Sequence, residues 1–383
     1  MKKIYLDYAA TTPCDPKVVR VMLPYFTHNF GNTSSVHQFG QDAGKALEKS
    51  RYIFAKELNA QKQEIIFTGS ATESNNMVLK GIAFANQVKR PHIIISSVEH
   101  DCIINSAKWL ENQGFHITQI PVDKEGRINP RDVEKSIKKQ TILVSIIHAN
   151  NEIGTIQPIK EIGRLCRKKK VLFHTDAVQS FGKLPINVNK QNIDLLTASS
   201  HKIYGPKGAA LLYVRKGIKI EPLLHGGGHE WGKRSSTVNV PAIAGFGKAL
   251  QIYQKNRKRE YQRLGELKNK LIKGAINNIP NMEINGSTAN SLSNIVNFRF
   301  LGVEGEAIAT HLDIKGIAVS TGSACSSENL QPSHVLQALN LKPEEIHGSI
   351  RFSLGRFTTE KEINYLLQVL PGIIKKLKKI SPF

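Results

Sequence analysis

Residues 193–208 read Ile193-Asp194-Leu195-Leu196-Thr197-Ala198-Ser199-Ser200-His201-Lys202-Ile203-Tyr204-Gly205-Pro206-Lys207-Gly208. Ile193–Ala198 has the length and apolar character of a buried strand. A Gly/Pro turn follows, so Lys202 falls just past the strand's carboxyl end. In open α/β sheets ligands bind at that edge. An amine withdrawn from water there keeps its lone pair available, which makes Lys202 a candidate Schiff-base lysine. Taken alone, the pattern also describes a surface lysine after a strand.

Outward from this stretch, residues 60–215 alternate apolar runs with amphipathic ones. The strand patterns are Glu64–Thr68, His92–Ser97, His116–Ile120, Thr141–His148, Val171–Asp176, Ile193–Ala198 and Ala209–Val214. Several are unbroken Ile/Leu/Val runs, as strands covered on both faces require. Helix patterns lie between them at Ala71–Gln87, Asp101–Gln113, Pro130–Lys139 and Pro158–Lys169. The first opens on Ser70 with Glu73 three residues on, a capping-box spacing. The alternation predicts an α/β fold: a mostly parallel seven-stranded sheet with helices on both faces.

The pattern changes from Pro241 to about Ile279. Leu250, Tyr253, Tyr261, Leu264, Leu267 and Leu271 keep helical spacing, and the opposite face is charged and reads as wet. A strand at Ser293–Phe300, a helix at Val303–Ile314, a Gly/Ser-rich segment at Ser320–Ser327, a stretch at Pro332–Leu339, a strand at Ser349–Leu354 and a helix from Thr358 follow. These predict a smaller α+β domain completed by the N-terminal segment. The expected boundaries are 15–255 for the large domain and 1–14 plus 256–383 for the small one, which carries the Cys325 loop at about 320–330.

The 383 residues are 40% hydrophobic and 22% charged, ordinary values for a globular protein and not for a disordered or collagen-like one. Apolar runs such as Ile142–Ile147 are too short to span a bilayer. The N-terminus shows no signal core. Cys14, Cys102, Cys166 and Cys325 lie far apart without metal-ligand spacing, which predicts no disulfide framework, no zinc site and a cytoplasmic location. Fifty-three Lys and Arg against thirty-one Asp and Glu leave a charge of +22. That field suits an acidic partner or nucleic acid, yet no nucleic-acid-reading motif accompanies it.

Three further strand ends carry chemistry. Val171–Gln179 ends an apolar run in Asp176, with Gln179 one helical turn on. A carboxylate suits the pyridinium nitrogen of pyridoxal phosphate, whose protonation makes the ring an electron sink. Thr68-Gly69-Ser70-Ala71-Thr72-Glu73-Ser74-Asn75-Asn76 crosses from strand to helix, offering N–H groups and a positive helix end to a phosphate. Ser96-Ser97-Val98-Glu99-His100 places a flat aromatic base where a cofactor ring would stack. Each has an ordinary reading as a helix cap or a buried histidine. Four such groups at four successive strand ends, each suited to a different part of one cofactor, fit together better than apart.

With these residues the chain resembles the cysteine desulfurases of the NifS/IscS kind, pyridoxal 5'-phosphate enzymes of the class V aminotransferase fold (fold type I). The resemblance spans nearly the whole length. It takes in Tyr5–Pro13, Gly31–His37, the Ala71–Ser74 segment, Val98-Glu99-His100, Asn150–Gly154, Asp176 with Gln179, and Ser199–Lys202. It closes with Gly322-Ser323-Ala324-Cys325 and Arg351–Arg356.

The resemblance implies removal of sulfur from L-cysteine, giving L-alanine and a persulfide on Cys325. It implies that Lys202 holds the cofactor covalently, Asp176 meets the pyridinium nitrogen, and Gln179 and Asn151 lie near the ring hydroxyl. Ala71, Thr72, Ser199 and His201 would hold the phosphate, and His100 would stack on the ring and manage the sulfur's proton. Thr237 would reach the phosphate of the neighbouring subunit in a homodimer. Arg351, with Asn32 and Asn151 nearby, would bind the substrate carboxylate. Cys325, on a Gly/Ser-rich stretch that reads as a mobile exposed loop, would carry sulfur to an iron–sulfur scaffold protein of the IscU/NifU kind or another acceptor. tRNA thiolation would be served only indirectly. No membrane and no resident metal are implied; Cys325 would at most be a transient iron–sulfur ligand. The chain departs from the family pattern at Ser236, where glycine is frequent, at Thr321, and in its short Lys-rich tail. The competing readings are a related lyase or aminotransferase acting on another amino acid, and a basic binding module without chemistry.

Overall fold

The structure is a computed structural model that describes residues 3–86, 91–321 and 332–380. Its strands in chain order are β1 (Ile4–Tyr5), β2 (Ile65–Thr68), β3 (His92–Ser96), β4 (His116–Ile120), β5 (Thr141–Ser145), β6 (Leu172–Asp176), β7 (Leu195–Ser199), β8 (Ala210–Val214), β9 (Met282–Asn285), β10 (Ile295–Phe300), β11 (Ile317–Ala318) and β12 (Ser349–Ser353). Seven of them form one sheet in the order β2-β8-β7-β6-β5-β3-β4. The pairs from β7 to β4 are parallel, and β8 alone runs antiparallel to both its neighbours. The carboxyl ends of β2, β3, β5, β6 and β7 therefore share one edge. The expected mostly parallel seven-stranded sheet is present.

β2, β3, β5, β7 and β8 are buried along their whole length, which is why their sequences lack polar alternation. The polar groups they do bury pair across strands. His174 on β6 lies 2.8 Å from Ser145 Oγ and 3.2 Å from Thr197 Oγ1, tying β5, β6 and β7 together. Burial pushes the His174 imidazole down to about 3, so the linkage stays neutral.

One apolar core lies between the sheet and the helix Gln38–Leu58, where Phe54 packs on Phe67 and Phe246. A second lies on the other face, with Val78, Ile82, Ile103 and Leu110 from the helices Ala71–Ala85 and Asp101–Asn112. A third is built from β10, β12 and the helices Gly305–Ile314 and Glu360–Ile380, and it takes in Ile4 and Leu6. The N-terminal segment reaches that region because β1 pairs in parallel with β11. The helix Val240–Asn278 contributes Phe246 and Leu250 to the first core and Leu264, Leu267 and Leu271 to the third.

Its charged face is less uniformly wet than the sequence suggests. Glu260 and Lys268 are buried; Glu260 receives Arg356 Nε at 3.0 Å, and Lys268 donates to Leu292 O at 2.9 Å. The helices Pro16–Met22 and Gln38–Leu58 and the strand β9 lie outside the elements expected from sequence.

Candidate active site

The shared strand edge opens into a cleft of about 460 Å³. Lys202, Asp176, His100, Gln179, Asn151, Ala71, Thr72, Ser199, His201 and Arg351 all line it. The family resemblance implies one site for these ten. Asn32 and Thr237 do not line it, and Cys325 lies, with Gly322, Ser323 and Ala324, outside the described residues.

Lys202 ends a short 3-10 turn, Ser200–Lys202, that follows β7 directly. A Cβ on Gly205 would stand 2.1 Å from Ser200 Oγ and 3.1 Å from Ser200 O, so a larger residue there would have to displace the Ser200 hydroxyl behind the lysine. Lys202 is half-buried, and its Nζ donates to Ala9 O and Ala10 O, both at 2.7 Å. The N-terminal segment thus supplies the amine's acceptors.

Asp176 is the last residue of β6 and is 3% exposed. Its Oδ1 accepts Val178 N at 2.9 Å and its Oδ2 accepts Asn75 Nδ2 at 2.7 Å. Both bonds orient the carboxylate. Asn75 is fully buried and was not singled out in the sequence. The signal was available, because Asn75 sits one helical turn beyond Ala71 and Thr72 and shares their face.

His100 caps the helix Asp101–Asn112, its Nδ1 accepting Cys102 N at 3.2 Å. A nitrogen that accepts carries no proton, so the neutral ring bears its hydrogen on Nε2. Cys102 Sγ lies 3.2 Å from the same Nδ1 and receives Asn75 Nδ2 at 3.2 Å. Also on the cleft wall, Ser70 Oγ caps Glu73 N at 3.1 Å. Ala71 and Thr72, whose N–H groups that bond leaves unused, open the helix toward the cleft. Burial, then Lys202 and Lys207, push His201 down to about 3, and its Nδ1 meets Thr11 Oγ1 at 3.1 Å. Arg234 holds Glu73 from behind at 2.7 Å.

The family pattern of class V aminotransferases matches residues 4–366. The chain belongs to the class V aminotransferase family. Among its relatives, "Cysteine desulfurase IscS" of Dictyoglomus turgidum is 50% identical over 382 residues, covering 100% of this chain and 97% of that protein. The protein of the same name from Methanosarcina thermophila is 48% identical over 381 residues, covering 100% and 94%. A solved NifS-like protein superimposes with a TM-score of 0.92 at 36% identity, covering 98% of this chain and 100% of that one. A structure titled "SspA in complex with cysteine" superimposes with a TM-score of 0.84 at 37% identity, covering 94% and 100%.

Class V aminotransferases work with pyridoxal 5'-phosphate, and the donor set fits it. An amine, an oriented carboxylate, a flat imidazole and an open helix N-terminus are the four groups that a carbonyl, a pyridine nitrogen, an aromatic face and a phosphate call for. Among the described residues no group of His, Cys, Asp and Glu is arranged to hold a metal ion, and no helix is long and apolar enough to cross a membrane.

Proposed function

We propose that the protein is a cysteine desulfurase, taking sulfur from L-cysteine to give L-alanine and a persulfide on Cys325. The observation that carries this reading is the convergence of Lys202, Asp176, His100 and Arg351 on one cleft in a chain of this family. The cysteine desulfurase names of its relatives support the substrate.

Bound in the cleft, pyridoxal phosphate supplies an electron sink for the charge left on the substrate's α-carbon. Lys202 would hold the cofactor, and its amine would carry the α-proton. Asp176 keeps a proton on the pyridine nitrogen, and Gln179 with Asn151 donates to the ring hydroxyl. Ala71, Thr72, Ser199 and His201 hold the phosphate. Arg351, 2% exposed and with a buried Nε that finds no partner among the described residues, meets the substrate carboxylate, with Asn151 beside it. His100 covers the ring and passes a proton to or from the substrate sulfur through Nε2. The Cys325 thiolate forms the S–S bond as the substrate C–S bond breaks, and the substrate carbon takes the electron pair and then a proton. Persulfide sulfur then passes to an iron–sulfur scaffold protein or another acceptor, with tRNA served indirectly, and the basic surface suits an acidic acceptor.

The working form in this reading is a cytoplasmic homodimer, with residues 15–255 as the large domain and 1–14 plus 256–383 as the small one. Separate apolar cores support that division. The exposed apolar residues Leu23, Phe26, Phe30, Val36, Phe39, Leu223, Leu224 and Trp231 support a partner surface. Thr237 lies outside its own cleft, as expected of a residue serving the neighbouring subunit.

Two variants test the reading. Lys202→Ala is expected to lose the yellow cofactor band and all alanine formation. Cys325→Ser is expected to keep the band and release no alanine catalytically. Normal turnover by either variant would remove that residue from the mechanism.

A further inference from the structure

Lys183 is a second amine close to the cleft, and none of the steps above uses it. It lies in the turn that leaves β6 and is 8% exposed. Phe181 N donates to Ala177 O at 2.7 Å and Lys183 N to Ser180 O at 3.0 Å, so the turn is helical enough to set residues 179 and 183 side by side. Lys183 Nζ donates to Gln179 Oε1 at 3.3 Å. An ammonium group can only donate. The contact therefore settles the direction of the Gln179 amide: its oxygen faces Lys183, and Nε2 faces the other way and donates to Ala9 O at 2.9 Å. Ala9 O is also an acceptor of Lys202 Nζ, at 2.7 Å. Lys183, Gln179 and Lys202 are thus joined through one backbone carbonyl.

We propose that Lys183 is a positioning residue for the cofactor: it holds Gln179 with its donor end toward the ring and sets the charge environment of Lys202. The proposal rests on the reading of Lys202 and Gln179 given above. A glutamine held the other way would present its oxygen to an anionic ring oxygen, which repels it. Lys183 is suited to the task because no carboxylate among the described residues pairs with it. Its hydrogen bond among the described residues goes to an uncharged amide. The acids around it are engaged elsewhere. Glu260 of the helix Val240–Asn278 receives Arg356 Nε, and Glu57 of the helix Gln38–Leu58 receives Arg257 and Gln254. Lys56, Lys258 and Tyr261 line the outer cleft that Lys183 also borders.

Burial above all, and then the charge of Lys202, bring Lys183 down to about 7, against a smaller upward pull from Glu260. The charge of Lys183 therefore changes close to neutrality. Below that point its positive charge disfavours a second one at the lysine that holds the cofactor. Above it the neutral amine gains an acceptor position and no longer dictates the direction of the Gln179 amide.

The test uses the holoenzyme and two readouts that do not depend on turnover. One is the pH midpoint of the visible cofactor band; the other is the Kd for pyridoxal phosphate rebinding after stripping. Lys183→Met is expected to weaken rebinding about tenfold and raise the midpoint by about one pH unit. Lys183→Arg should restore both toward the parent. Adding Lys183→Met to Gln179→Ala should weaken rebinding little further, because the amide it positions is gone. A Lys183→Met protein with the parent's midpoint and the parent's Kd overturns the proposal, whatever its Tm. Should the methionine variant not fold, Lys183→Gln is judged on the same two readouts. A band that persists in Lys202→Ala would instead overturn the underlying assignment, so the two failures are distinguishable.

Discussion

Arg351 Nη2 donates to Asp7 Oδ1 at 2.8 Å, so the guanidinium proposed for the substrate carboxylate is held by the opposite end of the chain. Its Nη1 donates to Asn151 O at 2.8 Å. Two fixed acceptors leave the group little freedom before substrate arrives, and preorganised donors bind with less ordering cost. Asp7→Asn keeps the shape and removes the charge. The KM for L-cysteine is expected to rise about tenfold, with a smaller change in kcat. Arg351→Lys should cost more, because the planar fork that reaches both acceptors is lost. Steady-state kinetics check both, and an unchanged KM in Asp7→Asn would show that the anchoring does not matter.

His100 caps a helix through Nδ1 and, in the proposed mechanism, also meets the substrate through Nε2. Asparagine is a good N-cap and alanine a poor one. His100→Asn should therefore unfold close to the parent, whereas His100→Ala should lose about 1 kcal/mol. Both should lose desulfurase activity. Thermal melts beside alanine assays separate the duties. Equal stability of the two variants would argue that the imidazole's cap contributes nothing.

The sheet was legible because its strands are buried on both faces and read as unbroken apolar runs. The sequence placed His116–Ile120 and Ala71 as the start of its helix where the structure has them. Boundaries slipped where polar groups are satisfied by tertiary contacts. Ile146–His148 reads as a continuation of β5, and Ile146 N and His148 N do still donate to His174 O and Asp176 O of β6, but on the other side Ile147 N donates to Glu99 Oε1 instead of to a strand. Of the site, the groups at strand ends were visible and the supporting ones were not. Asn75, Cys102 and Lys183 acquire roles only from what the fold sets beside them: Asp176, His100 and Gln179. The anchoring of Arg351 by Asp7 joins residues from the two ends of the chain, and no local pattern announces it.

Thr237 offers a test of the dimer that needs no structure. If it completes the neighbouring subunit's phosphate site, a mixed dimer of Lys202→Ala and Thr237→Ala chains contains one site with both residues intact. Mixing the two proteins under conditions of subunit exchange should then restore a cofactor-binding site of parent affinity in each mixed dimer. Cofactor titration against the unmixed proteins measures this. No recovery on verified exchange would place Thr237 in its own subunit's site or in none.

Glu99 is buried beside the cleft, its Oε1 accepting Ser96 Oγ at 2.5 Å and Ile147 N at 2.7 Å, while Oε2 finds no partner among the described residues. Burial pushes its carboxyl up to about 8; Asp176 adds to the rise, and the hydrogen bonds oppose it. The ordinary value is 4.5, so between these two pH values the folded state holds a proton that the unfolded state has released. Its contribution to stability is full below the lower value and falls as pH rises through the window. Lys183, held near 7, acts with the opposite sign in the upper part of that range. The informative quantity is therefore the difference between Glu99→Gln and the parent. The glutamine keeps the oxygen that accepts both bonds and cannot ionise. Its Tm relative to the parent should climb steadily as pH rises toward about 8 and level off beyond it. A difference that stays constant with pH would mean that Glu99 is ionised in the folded protein, with its charge balanced by a group other than those named here.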